Sequence, residues 1–216
     1  MTTSLKAVCL VSIAASAGLL ASSFLGQPAA WSQGAPAAAN AAGQPLDPLA
    51  QALTAYSPAA QEAVRATIRR YGTPDFVSGR LIEWDDRGPF TRIIAYSHPV
   101  RHLFPEPHDD ILFEEIKMVV PPERAAELMR FDGSLSVERT RGTLAAWESS
   151  EATGLLALNL AQQIIAGKLD HVAARRKLAE GWEATAAGKQ VPGASRLLFS
   201  PAFETADPDA PAPARR

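Results

Sequence analysis

The alternation of apolar and polar residues divides the middle of the chain into helices and short strands. Apolar residues recur at spacings of three and four in the segment PAAQEAVRATIRRY, which lies between Ser57 and Gly72. A capping serine followed by Pro58 favours a helix start and glycine favours a helix end, so this segment is predicted to be helical. Two β-rich runs follow, RLIEWDD and FTRIIAYS, and the turn at residues 87–89 between them predicts an antiparallel hairpin.

The same patterns continue to about residue 187. Residues 111–120 predict a third strand, a short helix begins near Pro122, and the runs SLSVERT and TLAAWES predict a second hairpin. The segment EATGLLALNLAQQIIA is apolar nearly all round, which is typical of a helix at the centre of a domain, and one more helix follows it. We therefore predict an α+β fold with helices packed on one face of a mainly antiparallel sheet of about five strands.

Composition divides the chain into four parts. Lys6 is the only charged residue among the first 46, and the apolar stretch 7–26 follows it. This pattern predicts a signal peptide over residues 1–30, with an uncleaved inner-membrane anchor at 7–26 as the alternative. Residues 31–46 are predicted to be a disordered Ala/Pro/Gly linker, residues 47–188 a single α+β domain, and residues 189–216 a Pro-rich disordered tail whose apolar residues 197–199 could pack back.

Charge and cysteine content limit which cell compartments and which partners are expected. The 21 Lys+Arg and 23 Asp+Glu give a net charge of -2 without a basic block, so nucleic acid is not expected as a partner. Cys9 is the only cysteine, which removes thiol catalysis and thiolate-bound metals from the domain. After Lys6 the next positive residue is Arg65, so we expect a periplasmic or secreted domain, touching the membrane only through an uncleaved N-terminal segment.

The segment HPVRHLFPEPHDD, residues 98–110, concentrates the residues that could form a chemical site. It holds three of the four histidines of the chain, with carboxylates between them. Imidazoles and carboxylates together suit zinc, iron, nickel or copper. The candidate metal ligands are His98, His102, His108 and Asp109, and the candidate general base is Glu106.

Spacing sets a condition on this site. In an extended chain His98 and His102 lie about 13 Å apart at roughly 3.3 Å per residue, too far for one ion. A metal site therefore requires a turn at Pro99 to Arg101 and another between Pro105 and Pro107. The alternatives are a rigid crossover whose histidines make ordinary hydrogen bonds, or a loop that recognises a partner.

Two functions are consistent with these residues. The first is a non-enzymatic exported domain that binds an unknown envelope protein or a small ligand, without a cofactor. It is favoured because the chain has no nucleophile elbow, no phosphate-binding glycine loop and no dinucleotide fingerprint. The second is a metal-dependent hydrolase that uses the 98–110 loop and a divalent metal as cofactor.

Several short segments resemble a group of exported bacterial proteins of unknown function, over roughly residues 70–175. The resemblance implies an exported, single-domain bacterial protein, and it implies no activity, substrate or catalytic residue. The segments that carry it are Tyr71-Gly72-Thr73-Pro74-Asp75, Trp84, Gly88-Pro89-Phe90, Phe104-Pro105-Glu106-Pro107-His108-Asp109, Asp132-Gly133-Ser134, Val137-Glu138-Arg139-Thr140 and Leu156-Ala157-Leu158-Asn159-Leu160.

Overall fold

The computed structural model describes residues 47–201 and 211–212. The predicted signal peptide or anchor, the linker 31–46 and most of the tail beyond residue 201 lie outside the described residues. The described helices and strands, in chain order, are α1 (Pro48–Leu53), α2 (Pro58–Tyr71), β1 (Phe76–Val77), β2 (Leu81–Arg87), β3 (Phe90–His102), β4 (His108–Lys117), α3 (Pro122–Phe131), β5 (Leu135–Glu138), β6 (Thr143–Glu148), α4 (Glu151–Ile165) and α5 (His171–Ala186).

The strands form one antiparallel sheet in the order β1-β2-β3-β4-β6-β5, and the helices pack on one of its faces. The predicted α+β class is confirmed. The sheet has six strands where about five were expected, because β1 contributes only two residues, Phe76 and Val77. Two residues are too few to produce a recognisable alternation.

The predicted loop 98–110 is in large part the end of the β3–β4 hairpin. The two strands pair regularly up to Ala95, shift register, and pair again from Val100 to His102, where His102 lies opposite His108. The strand predicted as the third is β4 in the structure. It begins at His108, three residues before its predicted start at Ile111. Pro99 lies in the irregular stretch, where a residue without a backbone N–H does not interrupt a ladder.

Helix α4 lies at the centre of the core, as its sequence predicts. Ten of its residues are buried, Asn159 among them. The Asn159 amide donates to the carbonyls of Gly193 and Arg196 at 2.9 Å each and accepts from the Leu198 N–H at 2.7 Å. These bonds hold residues 193–198 against the domain, and Leu197 and Phe199 pack on the core.

The face of the sheet that meets the helices carries carboxylates as well as apolar side chains. Glu114 lies opposite Ala146, and Glu148 lies opposite Leu112, in the pairing of β4 with β6. Both glutamates are about 99% buried, at 1% exposure each. Since alternate residues of a strand share a face, Asp110 and His108 lie on this same face of β4.

Within the described part of the chain, no helix combines the length and the apolar character needed to span a bilayer.

Candidate metal centre

The end of the β3–β4 hairpin brings two histidines and one aspartate together. His102 and His108 pair across the two strands, and Asp110 follows His108 by two residues on the same face. One ligand atom from each of these three residues lies within 4.8 Å of the other two. Only 17%, 8% and 4% of the side chains of His102, His108 and Asp110 are exposed.

The imidazole of His108 is held by the backbone of its own loop. Its Nδ1 lies 2.7 Å from the carbonyl oxygen of Glu106, and a carbonyl can only accept, so Nδ1 carries the hydrogen. The neutral ring then has a lone pair on Nε2. This is the arrangement in which a second hydrogen bond orients a metal-binding histidine.

The lone pair of His108 Nε2 faces two carboxylate oxygens. Nε2 lies 3.0 Å from Asp110 Oδ1 and 3.7 Å from Glu148 Oε2. All three atoms are buried and make no hydrogen bond in the structure. Three acceptor atoms facing one another without a donor would repel after losing their hydration, so a proton or a metal ion must lie between them. The candidates are a proton on the imidazole, a proton on the Glu148 carboxyl, or a metal ion.

Glu148 lies on β6 beside this group of three, with its Oε2 3.7 Å from His108 Nε2. Burial raises the pKa of Glu148 well above its ordinary value, the charges of Asp132 and Asp110 raise it further, and a hydrogen bond from Thr153 opposes them. The carboxyl is thus costly to ionise unless a positive charge lies beside it.

His102 has partners on both ring nitrogens. Nδ1 lies 3.1 Å from Ser134 Oγ and 3.6 Å from Asp110 Oδ2, while Nε2 lies 3.7 Å from Asp132 Oδ1. Ser134 Oγ donates to Asp110 Oδ2 at 2.5 Å. Burial raises the pKa of Asp132. The hydrogen bond from the Ser134 N–H and the neighbouring His102 lower this pKa and so partly offset the effect of burial. These contacts join the α3–β5 connection to the site.

Aromatic rings cover the histidines. The Trp182 ring of α5 lies 4.3 Å from the ring of His108, and Phe104 lies edge-on to His102 at 6.4 Å between ring centroids. Arg175 holds Phe104 in place, because its guanidinium lies 3.5 Å over that ring and donates to the Phe131 carbonyl at 2.8 Å. Water therefore has limited access to the two imidazoles.

The sequence-based candidates are separated by the fold. His102 and His108 belong to the group. His98 is exposed, with Nδ1 2.8 Å from Ser97 Oγ, and Asp109 forms an ion pair with Arg101 at 3.1 Å on the other side of the strand. Glu106, the candidate general base, has an exposed side chain, and it touches the site through its backbone carbonyl.

Sequence reasoning missed Asp110 and Glu148 as site residues. Asp110 could have been found from strand alternation, since it shares a face with His108 once β4 is known to begin there. Glu148 carries no such signal, because it comes from a strand 40 residues further along the chain and its place depends on how β6 pairs with β4.

Comparison with family models, with curated proteins and with solved structures gives no significant match for this chain.

Proposed function

We propose that this chain is an exported protein whose folded domain binds one divalent transition-metal ion at His102, His108, Asp110 and Glu148. The observation that carries the proposal is the meeting of His108 Nε2, Asp110 Oδ1 and Glu148 Oε2, three buried polar atoms that make no hydrogen bond in the structure. A metal ion would satisfy all three at once, and it would restore the charge balance that burial of the carboxylates removes.

The donor set limits which ions fit. Two imidazole nitrogens and two carboxylate oxygens suit zinc, iron, manganese, cobalt or nickel, whereas soft ions such as copper(I) prefer sulfur ligands. The chain offers no thiolate here, since Cys9 is its only cysteine. Four such donors match the coordination number that zinc usually takes in proteins.

Metal-dependent hydrolysis is the second candidate function. It is favoured by a surface depression of about 220 Å³ that reaches Asp110 and Ser134. A metal with one coordination position open to such a depression could lower the pKa of a bound water and so generate a nucleophile.

Elemental analysis of the full-length chain, purified without chelators, tests the metal site with two matched pairs of variants. Asp110→Asn should lower the affinity for zinc by at least about tenfold, because it removes a ligand, whereas Asp109→Asn on the neighbouring position should leave it unchanged. His108→Ala and the exposed His98→Ala form the second pair. We expect one metal per chain in the parent protein and in both controls.

The competing explanation is a proton on His108 or on Glu148, which needs no metal. It predicts no stoichiometric zinc in any of the variants, and NMR of the His108 ring nitrogens shows which of the two groups holds the proton. That result would overturn the proposed metal-binding function. Export is tested separately, from the fraction of the cell that holds the protein and from the mass of the mature chain.

A further inference from the structure

A depression in the surface lies beside the candidate metal centre. It encloses about 220 Å³ and is lined by Val100, Asp110, Gly133, Ser134, Ser136 and Trp147. Asp110 and Ser134 also belong to the centre, where their side chains are hydrogen-bonded to each other. A molecule in the depression would therefore contact one of the proposed metal ligands.

The lining of the depression limits the chemistry of its occupant. None of the lining residues is a lysine, arginine or histidine, so an anionic ligand would find no protein cation there. The Ser134 hydroxyl is engaged with Asp110 and His102, whereas Ser136 Oγ accepts from Trp147 Nε1 at 3.1 Å and keeps its own hydrogen for donation. Trp147 and the 60%-exposed Val100 offer apolar surface. The volume is below the roughly 300–1,000 Å³ of pockets for drug-sized ligands, so it suits a single ring.

An aromatic strip continues from the depression along the sheet. Tyr96 stacks on Trp147 with ring centroids 5.0 Å apart, and Phe113 meets Trp147 edge-on at the same distance. All three rings are partly exposed. Since Tyr96 and Phe113 alternate with the core-facing positions of β3 and β4, the strip lies on the face of the sheet opposite the helices.

Two ion pairs lie on the same face of the sheet as this strip. Arg92 pairs with Glu83 at 2.7 Å and Arg141 pairs with Glu115 at 3.0 Å, both on the same face as the strip. The surface beside the depression thus combines aromatic rings with paired charges. It complements a neutral ligand better than a charged one.

We infer that the depression binds one ring of a neutral oligosaccharide. A sugar ring has an apolar C–H face, which fits Trp147, and a rim of hydroxyls, which fits the exposed hydroxyl of Ser136. The next ring of the chain lies over Tyr96. The inference rests on the proposed metal site, because Asp110 lines the depression and is one of the proposed ligands.

Calorimetric titration of the full-length chain with three neutral tetrasaccharides tests this inference. The probes are β-1,4-linked N-acetylglucosamine, β-1,4-linked glucose and α-1,4-linked glucose, each added to protein with one equivalent of zinc and to protein in EDTA. We expect saturable binding of at least one probe. Trp147→Ala should weaken it at least tenfold, and Phe76→Ala, which removes an exposed ring at the other edge of the sheet, should leave it unchanged.

Folding of each variant is checked by circular dichroism, and Ser136→Ala, at an exposed serine, serves where Trp147→Ala does not fold. EDTA should weaken saccharide binding about tenfold, since it frees Asp110 from the metal. Absence of saturable binding, or binding that neither Trp147→Ala nor Ser136→Ala weakens, overturns the inference. Binding of equal strength with and without EDTA, in protein that holds one zinc per chain before EDTA is added, also overturns it. Metal content is measured on the same samples, so a failed metal site is recognised independently of the titration.

Discussion

Glu114 and Gly154 meet at one point between β4 and α4. A Cβ atom on Gly154 would overlap Glu114 Oε2, so the enclosed side chain of Glu114 would have to shift within the core. The glycine therefore admits a buried carboxyl against the first turns of the central helix. Near this carboxyl, the Tyr71 hydroxyl donates a hydrogen bond to Glu151 Oε1 at 2.6 Å, and Arg70 Nε forms an ion pair with the same oxygen at 3.1 Å.

Gly154→Ala should destabilise the protein even though alanine favours helices. The gain in helix propensity is about 1 kcal/mol, whereas overpacking a tight core costs about 1–3 kcal/mol. Chemical denaturation of the variant, compared with that of Gly79→Ala, measures the difference. Gly79 is the matched control, since a Cβ there meets nothing within 4 Å. A Gly154→Ala protein as stable as the parent would contradict the packing described here.

Glu114→Gln should raise stability at neutral pH and reduce its dependence on pH. Burial raises the pKa of Glu114 well above its ordinary value, Glu151 adds to the effect and Arg70 opposes it. The folded protein thus holds this proton more tightly than the unfolded chain. The contribution of the protonated carboxyl is complete at acid pH, below the ordinary pKa, and is lost as the pH rises towards the folded pKa.

Denaturation between about pH 5 and about pH 8, in EDTA, measures this effect. The parent protein should lose stability as the pH rises, and Glu114→Gln should lose less. Glu123→Gln, at an exposed position in the first turn of α3, is the control and should follow the parent. A parent protein that gains stability across this range, or a glutamine variant with the same slope, would show that Glu114 is ionised at little cost.

Glu148→Gln should have opposite effects on stability and on metal binding. In the metal-free protein the buried carboxyl is costly to ionise, so the neutral amide should raise the free energy of unfolding at neutral pH. The same change removes a charged donor from the site, so zinc should bind at least about tenfold more weakly. Denaturation in EDTA and a competition titration with a zinc chelator measure the two effects. If Glu148 has only a structural role, Glu148→Gln would leave the affinity for zinc unchanged.

Asn159→Ala should release residues 193–198 from the domain. The variant loses three hydrogen bonds to the backbone and leaves buried groups unpaired, at a cost of about 2–4 kcal/mol. Limited proteolysis should then cut between Gly193 and Leu198 faster than in the parent. Gln163→Ala, one turn further along α4, is the control. Equal cleavage of the two variants would show that these residues are held by other contacts.

Half of the candidate site was predictable from the sequence. The cluster of histidines and carboxylates in residues 98–110 marks the right place in the chain, and it includes His102 and His108. The choice between Asp109 and Asp110 was not predictable, because it depends on where β4 begins. Neighbouring residues of a strand point to opposite faces, so a shift of one residue exchanges a buried ligand for an exposed ion pair.

The sequence by itself determined most of the helices and the longer strands, the central place of α4 and the α+β class, because these follow from local periodicity and from capping residues. Only the tertiary structure decided which acidic groups meet His108. Glu148 reaches the site through the pairing of β6 with β4, and Gly154 makes room for Glu114 through the packing of α4 on the sheet. Both contacts join residues far apart in the chain, and the cost of burying a charge depends on such neighbours, which a local pattern does not contain.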